Sequence, residues 1–153
     1  MLLNTREISP KDEDLGRITT PAIIGNNFDI RLARTGAIPE ESIRRVEVSD
    51  ALVDTGASSL CLPASMVREL GLEPLRQRNA RTAGGMRVLT VFSEVQLKIQ
   101  DRDTVVRVTE IPDGSPVLIG QIPLEDMDLV PFPKEQKLLP NPAHGGEWEI
   151  EIW

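Results

Sequence analysis

The sequence predicts a mainly β domain on three observations. Apolar and polar residues alternate over short stretches, most cleanly at Phe28, Ile30 and Leu32 and again at Val95, Leu97 and Ile99, which is the period of a half-buried strand. These stretches end in turn chemistry, at Gly25-Asn26-Asn27, at Thr82-Ala83-Gly84-Gly85 and at Pro112-Asp113-Gly114-Ser115-Pro116. Helical signals are confined to two short pieces, residues 63–70 and 123–128.

With 153 residues, 40% of them hydrophobic, the chain has the size of one domain with a sizeable core. A net charge of −7 argues against nucleic acid and anionic membrane surfaces as partners, because no basic face is available to neutralise phosphates. Arg44-Arg45 and the spaced Arg76, Arg78 and Arg81 are too short and diluted to change that. No stretch has membrane-spanning length, and the first residues lack a basic region followed by a long apolar run. The single cysteine, Cys61, rules out an internal disulfide framework and suits a reducing compartment, so the expected location is cytoplasmic. One cysteine and one histidine, His144, offer no ligand spacing for a metal and a poor basis for a cysteine hydrolase, so no metal or cofactor is expected. Cys61 reads as a small core residue between Leu60 and Leu62.

In chain order, residues 1–16 are polar and read as a solvated N-terminal arm, with the alternative that Leu2-Leu3 pairs as an edge strand in a dimer. Residues 17–34 read as β structure, with Ile18, Ile23 and Ile24 before the Gly25-Asn26-Asn27 turn and Phe28, Ile30 and Leu32 after it. Residues 35–41 are a connection, and 43–53 are a strand that runs straight into Asp54.

The stretch Ala51-Leu52-Val53-Asp54-Thr55-Gly56-Ala57-Ser58 delivers a carboxylate from an apolar run into a tight turn of small residues. An ionised aspartate buried there must be hydrogen-bonded, paired or shifted in pKa. Asp, Thr and Gly also build ordinary strand-end turns, so the tripeptide alone leaves both readings open. A second element, Val117-Leu118-Ile119-Gly120, stands at a suitable separation. Together the two resemble the aspartic proteases, and specifically the retroviral-like (retropepsin) group, over roughly residues 18–130. The resemblance implies a closed acid-protease barrel in which Leu118, Ile119 and Gly120 lie under the catalytic loop. A two-lobed enzyme would need a second motif. The only other Asp-Thr, Asp103-Thr104, is followed by Val105, so the resemblance implies a homodimer.

After the loop, Pro63 suits a first helical position and Gly71 a C-terminal cap, giving a short helix. Residues 72–82 return as an arginine-rich polar strand to a glycine-rich hairpin tip. By resemblance, Thr82, Ala83, Gly84, Gly85 and Met86 form the substrate-binding flap. Beyond the tip, Met86, Val88, Thr90 and Phe92 share one parity while Val95, Leu97 and Ile99 share the other, which requires a bulge near Ser93-Glu94. A further strand runs to Ile111, and a short helix follows Gly120. Pro131, Pro133, Pro140 and Pro142 make an extended tail that no central strand accommodates. The domain is therefore drawn at 17–130, with 131–153 as a Pro-rich extension that ends in a strand, Trp148, Ile150 and Ile152 on one face. The resemblance puts that strand at the dimer interface; folding back onto its own barrel is the alternative.

The function so implied is a homodimeric aspartic endopeptidase acting on a peptide or protein substrate. Asp54 and its symmetry mate share one proton and activate a water, Thr55 braces the two loops, and Gly56 leaves backbone groups free for substrate. Ala57 lacks the hydroxyl with which a serine could donate to the carboxylate. The chain departs from the family pattern in having no tyrosine for a pepsin-type flap and in carrying Gln121 where retroviral enzymes often have arginine. A non-catalytic peptide-binding module on the same fold is the alternative, and a structural β protein with a chance Asp-Thr-Gly is a third reading.

Overall fold

The computed structural model describes residues 17–152, and the expectations for the arm 1–16 and for Trp153 lie outside the described residues. Strand β1 (Ile18–Asn26) buries Ile18, Thr20, Ala22 and Ile24 on one face and pairs antiparallel with β2 (Arg45–Val53). Three strands follow in the chain: β3 (Leu60–Pro63), β4 (Pro74–Thr82) and the long β5 (Gly85–Ile99). They are succeeded by β6 (Arg102–Ile111) and the two-residue β7 (Leu118–Ile119). The sheet order is β1-β2-β7-β3-β6-β5-β4, and β5 also pairs with β1, so six strands close into a hydrogen-bonded ring with β4 outside it. The fold is mainly β, as expected. Its core gathers Ile24, Leu60, Leu62, Leu97, Ile99, Val108 and Ile119, all at most 1% exposed.

The fifteen-residue β5 serves two purposes because it bulges. The register slips between Phe92 and Val95, as the parity switch requires, so that Phe92 opposes Val108 and Val95 opposes Val106, with all four on the core side. Leu89 and Val91 are thereby turned to the other face, where β5 leaves the ring to pair with β4. Ser93, in the bulge, is held from outside: its N–H donates to Glu73 O at 2.8 Å, and its Oγ accepts from Glu73 N at 3.0 Å.

Residues 27–34 are not the strand that their alternation suggests. They form helix α1 (Asn27–Arg34), with Asn26 as its cap, its side-chain oxygen accepting from Asp29 N at 3.1 Å. Asp29 anchors the helix: its buried carboxylate accepts from Arg44 N, Nε and Nη2 at 3.1, 2.8 and 2.9 Å. The Arg44 hydrogen bonds hold the Asp29 carboxyl below its usual range despite burial. Phe28 is 64% exposed, so the alternation never marked a core-facing edge. Helix α2 (Ala64–Glu69) starts just after Pro63, and Gly71 takes the left-handed backbone, φ +63°, that ends it. Helix α3 (Gln121–Asp126) begins directly after Gly120, two residues earlier than expected.

The boundary drawn at residue 130 falls inside strand β8 (Leu129–Phe132), which pairs with β9 (Lys137–Pro140) as a separate hairpin. Leu129 and Leu138 reach into the same core as the ring, so 131–140 pack as part of the domain. Residues 147–152 form no strand, contrary to the alternating pattern of the tail. A strand needs a partner, and among the described residues these have none. Trp148 instead donates from Nε1 to Asp126 O at 2.9 Å and lies under the Arg102 guanidinium, 5.9 Å from the ring centroid, while Ile150 and Ile152 are 72% and 83% exposed. No helix of the described residues is long and apolar enough to cross a membrane.

The segment after β9 is clasped to the turn at Asp128. His144 Nδ1 meets Asp128 Oδ2, Asn141 Nδ2 donates to Asp128 Oδ1 at 3.1 Å, and Glu151 Oε1 lies 3.4 Å from His144 Nε2. Hydrogen bonds to Asp128 and then Glu151 raise the His144 pKa. Burial pushes the Asp128 carboxyl up, but hydrogen bonds from His144 and Asn141 outweigh it and leave it lowered. The His144 contribution is complete below the ordinary histidine pKa and is lost as pH rises through the raised value. The Asp128 contribution is present above the ordinary aspartate pKa and is lost as pH falls through the lowered value. The clasp is therefore tightest between about pH 4 and 6.5. Amide exchange in residues 141–152, corrected for its intrinsic pH dependence, should be slower near pH 5.5 than near pH 8.5. His144→Gln should remove the difference; protection independent of pH in the unaltered protein would count against the clasp.

Candidate functional site

The end of β2 is fixed from both sides. Leu52 N and Asp54 N donate to Val117 O and Ile119 O at 2.8 and 3.0 Å, carrying the strand along β7 as far as the aspartate. The chain then turns, with Ala57 N donating to Asp54 O at 3.1 Å and Gly56 N donating to Asp54 Oδ1 at 2.9 Å. Asp54 is thus half-buried, with one carboxylate oxygen held by the loop's own backbone.

Gly120 carries the loop from below. Its N–H donates to Ser59 O at 3.0 Å, and the next two residues continue the zipper, Gln121 N to Ala57 O at 2.9 Å and Ile122 N to Ser58 O at 3.1 Å. A Cβ at Gly120 would lie 2.5 Å from Ser59 O, 2.6 Å from Ser59 N and 2.7 Å from Ala57 O. Only glycine permits that approach. Ile119 beside it is fully buried, so the apolar segment anchors the loop to the core.

A cavity of about 690 Å³ lies above Asp54 and under the β4–β5 hairpin. Of the residues singled out from the sequence, Asp54, Gly56, Ala57, Leu118, Thr82 and Ala83 line it. Thr55, Gly84, Gly85, Met86, Ile119 and Gly120 do not. Thr55 is exposed beside Asp54, Ile119 and Gly120 lie beneath the loop, and Met86 opposes Arg81 on β4 and is 62% exposed. The hairpin turns through Ala83 and Gly84, with Thr82 Oγ1 donating to Gly85 O at 2.7 Å and Gly85 at φ +105°.

Sequence reasoning missed part of the wall. Leu60 and Leu62 are fully buried in the core, and Cys61 between them is buried as expected but alternates to the other side, where it also lines the cavity. Burial pushes the Cys61 thiol up, which leaves it a neutral lining group. Ser59 Oγ and Thr109 Oγ1, 3.2 Å apart, lie alongside. Leu89, Val91 and Ile111 supply apolar wall, and Arg78 and Arg81 the charged part of the hairpin side. The period-2 pattern of β3 and β5 contained this information, but only the bulge fixes which parity faces the cavity. Among the described residues no three His, Cys, Asp or Glu side chains are arranged to hold a metal ion.

The family model described as "Aspartyl protease" matches residues 42–122, a span of just over half the chain that runs from the approach to β2 into α3. The chain belongs to the aspartyl protease family. A search of curated proteins gave no match. The region shared with the aspartyl proteases contains the Asp54 loop, the hairpin and Gly120, whereas β1 and the β8–β9 hairpin lie outside it. Among the described residues, Asp54 is the only acidic one lining the cavity of this aspartyl protease family member.

Proposed function

We propose that the protein is a homodimeric aspartic endopeptidase whose site is completed by the Asp54 of a second copy. The observation that carries this reading is the lone carboxylate: Asp54 sits at the floor of a peptide-sized cavity with one oxygen held by Gly56 N and, among the described residues, no second acid lining it. Hydrolysis by a carboxylate pair needs two, and a two-fold axis supplies the second from identical sequence. Two carboxyls that close share one proton, because both cannot ionise together. The ionised one takes a proton from water as its oxygen attacks the peptide carbonyl, and the protonated one stabilises the developing oxyanion. Proton transfer to the amide nitrogen then releases the amine. No metal, cofactor or covalent intermediate is involved.

In this reading the exposed Thr55 braces the two loops across the axis, and the 82–86 tip acts as a flap over an extended peptide that adds as a strand between hairpin and floor. The exposed Ile150 and Ile152 find their partner strand in the other subunit, which accounts for an alternating segment left unpaired in the single chain. The lone free cysteine suits a reducing, cytoplasmic setting.

The test is the dependence of peptide hydrolysis on protein concentration. Specific activity should rise with concentration in step with dimer formation measured by sedimentation, and a statine-type transition-state mimic should inhibit it. Deleting residues 147–153 should weaken dimerisation and activity together, with activity partly restored at high concentration. A truncated protein that stays dimeric and fully active would refute the interface. A strict monomer that binds peptides without cleaving them would establish the binding-module alternative instead.

A further inference from the structure

We infer that the hairpin above Asp54 selects peptides that carry an aspartate or glutamate near the bond held at the cavity floor, through Arg78 and Arg81, the two arginines on the cavity's hairpin side. In a chain of net charge −7, residues 74–93 contain four arginines, Arg76, Arg78, Arg81 and Arg87, and no acidic residue. The pairing of β4 with β5 sets Arg76 opposite Val91, Arg78 opposite Leu89 and Ala80 opposite Arg87. Cross-strand partners share a face. Leu89 and Val91 line the cavity, so Arg76, Arg78 and Arg87 belong to the inner face of the hairpin, and Arg78 lines the cavity together with Arg81.

These arginines have no counter-charge among the described residues, in contrast to three others of the chain. Arg44, Arg45 and Arg68 pair with Asp29, Glu40 and Asp113. None of the four hairpin arginines makes an ion pair with a described residue. Like charges gathered on one face repel, and they contribute nothing to the ladder that forms the hairpin. An extended peptide turns alternate side chains toward this face, and a carboxylate among them meets guanidinium donors suited to bidentate pairing. Because the arginines are exposed, the attraction is partly screened and weakens with added salt.

The inference rests on the endopeptidase reading for the bond that is cut, but the selectivity is measured without it. The protein carrying Asp54→Asn is titrated at low salt with two short fluorescein-labelled peptides that differ only in glutamate or glutamine at the central positions. Fluorescence anisotropy should give about five- to tenfold tighter binding of the glutamate peptide, with the difference narrowing as salt is added. Arg78→Gln should reduce the preference, and the combination with Arg81→Gln should abolish it. These exposed side chains have no partners to lose, so both variants should fold. Equal affinity for the two peptides overturns the inference, as does a preference that survives both substitutions. A single-stranded oligothymidylate bound as tightly as the glutamate peptide would mark an indiscriminate polyanion surface and also overturn it. The unaltered protein, incubated with the same peptides, separates the two readings. Preferential binding with no hydrolysis leaves the selectivity standing and removes the endopeptidase; hydrolysis of both peptides at equal rates does the reverse.

Discussion

Asp54→Asn should leave the protein folded and dimeric and lower peptide hydrolysis by at least about a thousandfold. The fold is expected to survive because the interaction that the side chain makes in the loop is one the amide oxygen of asparagine also makes: it accepts from Gly56 N, which reaches Oδ1 at 2.9 Å. The two backbone bonds at this residue, Asp54 N to Ile119 O and Ala57 N to Asp54 O, do not involve the side chain at all. What is lost is the titrating proton. A pair that must hold one proton between two carboxyls cannot do so when both are amides, and in a mixed dimer only one carboxyl remains to serve as acid and base. Co-expressed wild-type and Asp54→Asn subunits should therefore give activity in proportion to the wild-type homodimer alone. Melting temperature and sedimentation report on the fold, and turnover of an unfolded protein substrate on the chemistry. Turnover at wild-type rates by a folded Asp54→Asn dimer would remove the carboxylate mechanism.

How far the chain could be read in advance depended on whether a pattern had one physical cause or two. The Asp54 loop and Gly120 were legible because each rests on a steric requirement that few residue types meet: a carboxylate in a turn of small residues, and a glycine with backbone against its Cα. The bulge in β5 was legible because a parity switch in a continuous strand has no other cause. Helix α1 was not. Phe28, Ile30 and Leu32 alternate, but the residues that decide the conformation are Asn26, which caps, and Asp29, which pairs with Arg44 fifteen positions away. That long-range ion pair leaves no trace in local periodicity. Trp148, Ile150 and Ile152 misled in the opposite sense, since alternation states what a strand would look like without supplying the strand beside it. Cys61 is buried, as its apolar neighbours suggest, but its parity also brings it to the cavity, which those neighbours do not reveal.

Among the described glycines, Gly120→Ala should bring a new methyl into the closest contact with backbone. The position has φ −85°, an ordinary value, so the penalty is one of contact and not of backbone preference. The new Cβ would meet three backbone atoms, Ser59 O, Ser59 N and Ala57 O, all nearer than 2.8 Å, and none of them can rotate away as a side-chain end would. Relief requires the 57–59 loop to lift from the 118–122 segment. That motion breaks Gly120 N to Ser59 O, Gln121 N to Ala57 O and Ile122 N to Ser58 O, which together fasten the loop bearing Asp54. Overpacking of a close backbone contact costs about 1–3 kcal/mol, and each net hydrogen bond lost about 1 kcal/mol more, against a total stability of about 5–15 kcal/mol. A loss of about 3 kcal/mol or more is expected, read as a lower urea midpoint with little change in slope. Gly84→Ala is the comparison, since its Cβ would come no nearer than 3.4 Å to anything, and there to the flexible end of Arg87. That variant should lose less than about 1 kcal/mol. If Gly120→Ala proved no less stable than Gly84→Ala, the loop would not be pressed against residue 120 as described. If it were destabilised but kept full hydrolytic activity below its midpoint, the position of Asp54 would not depend on this zipper.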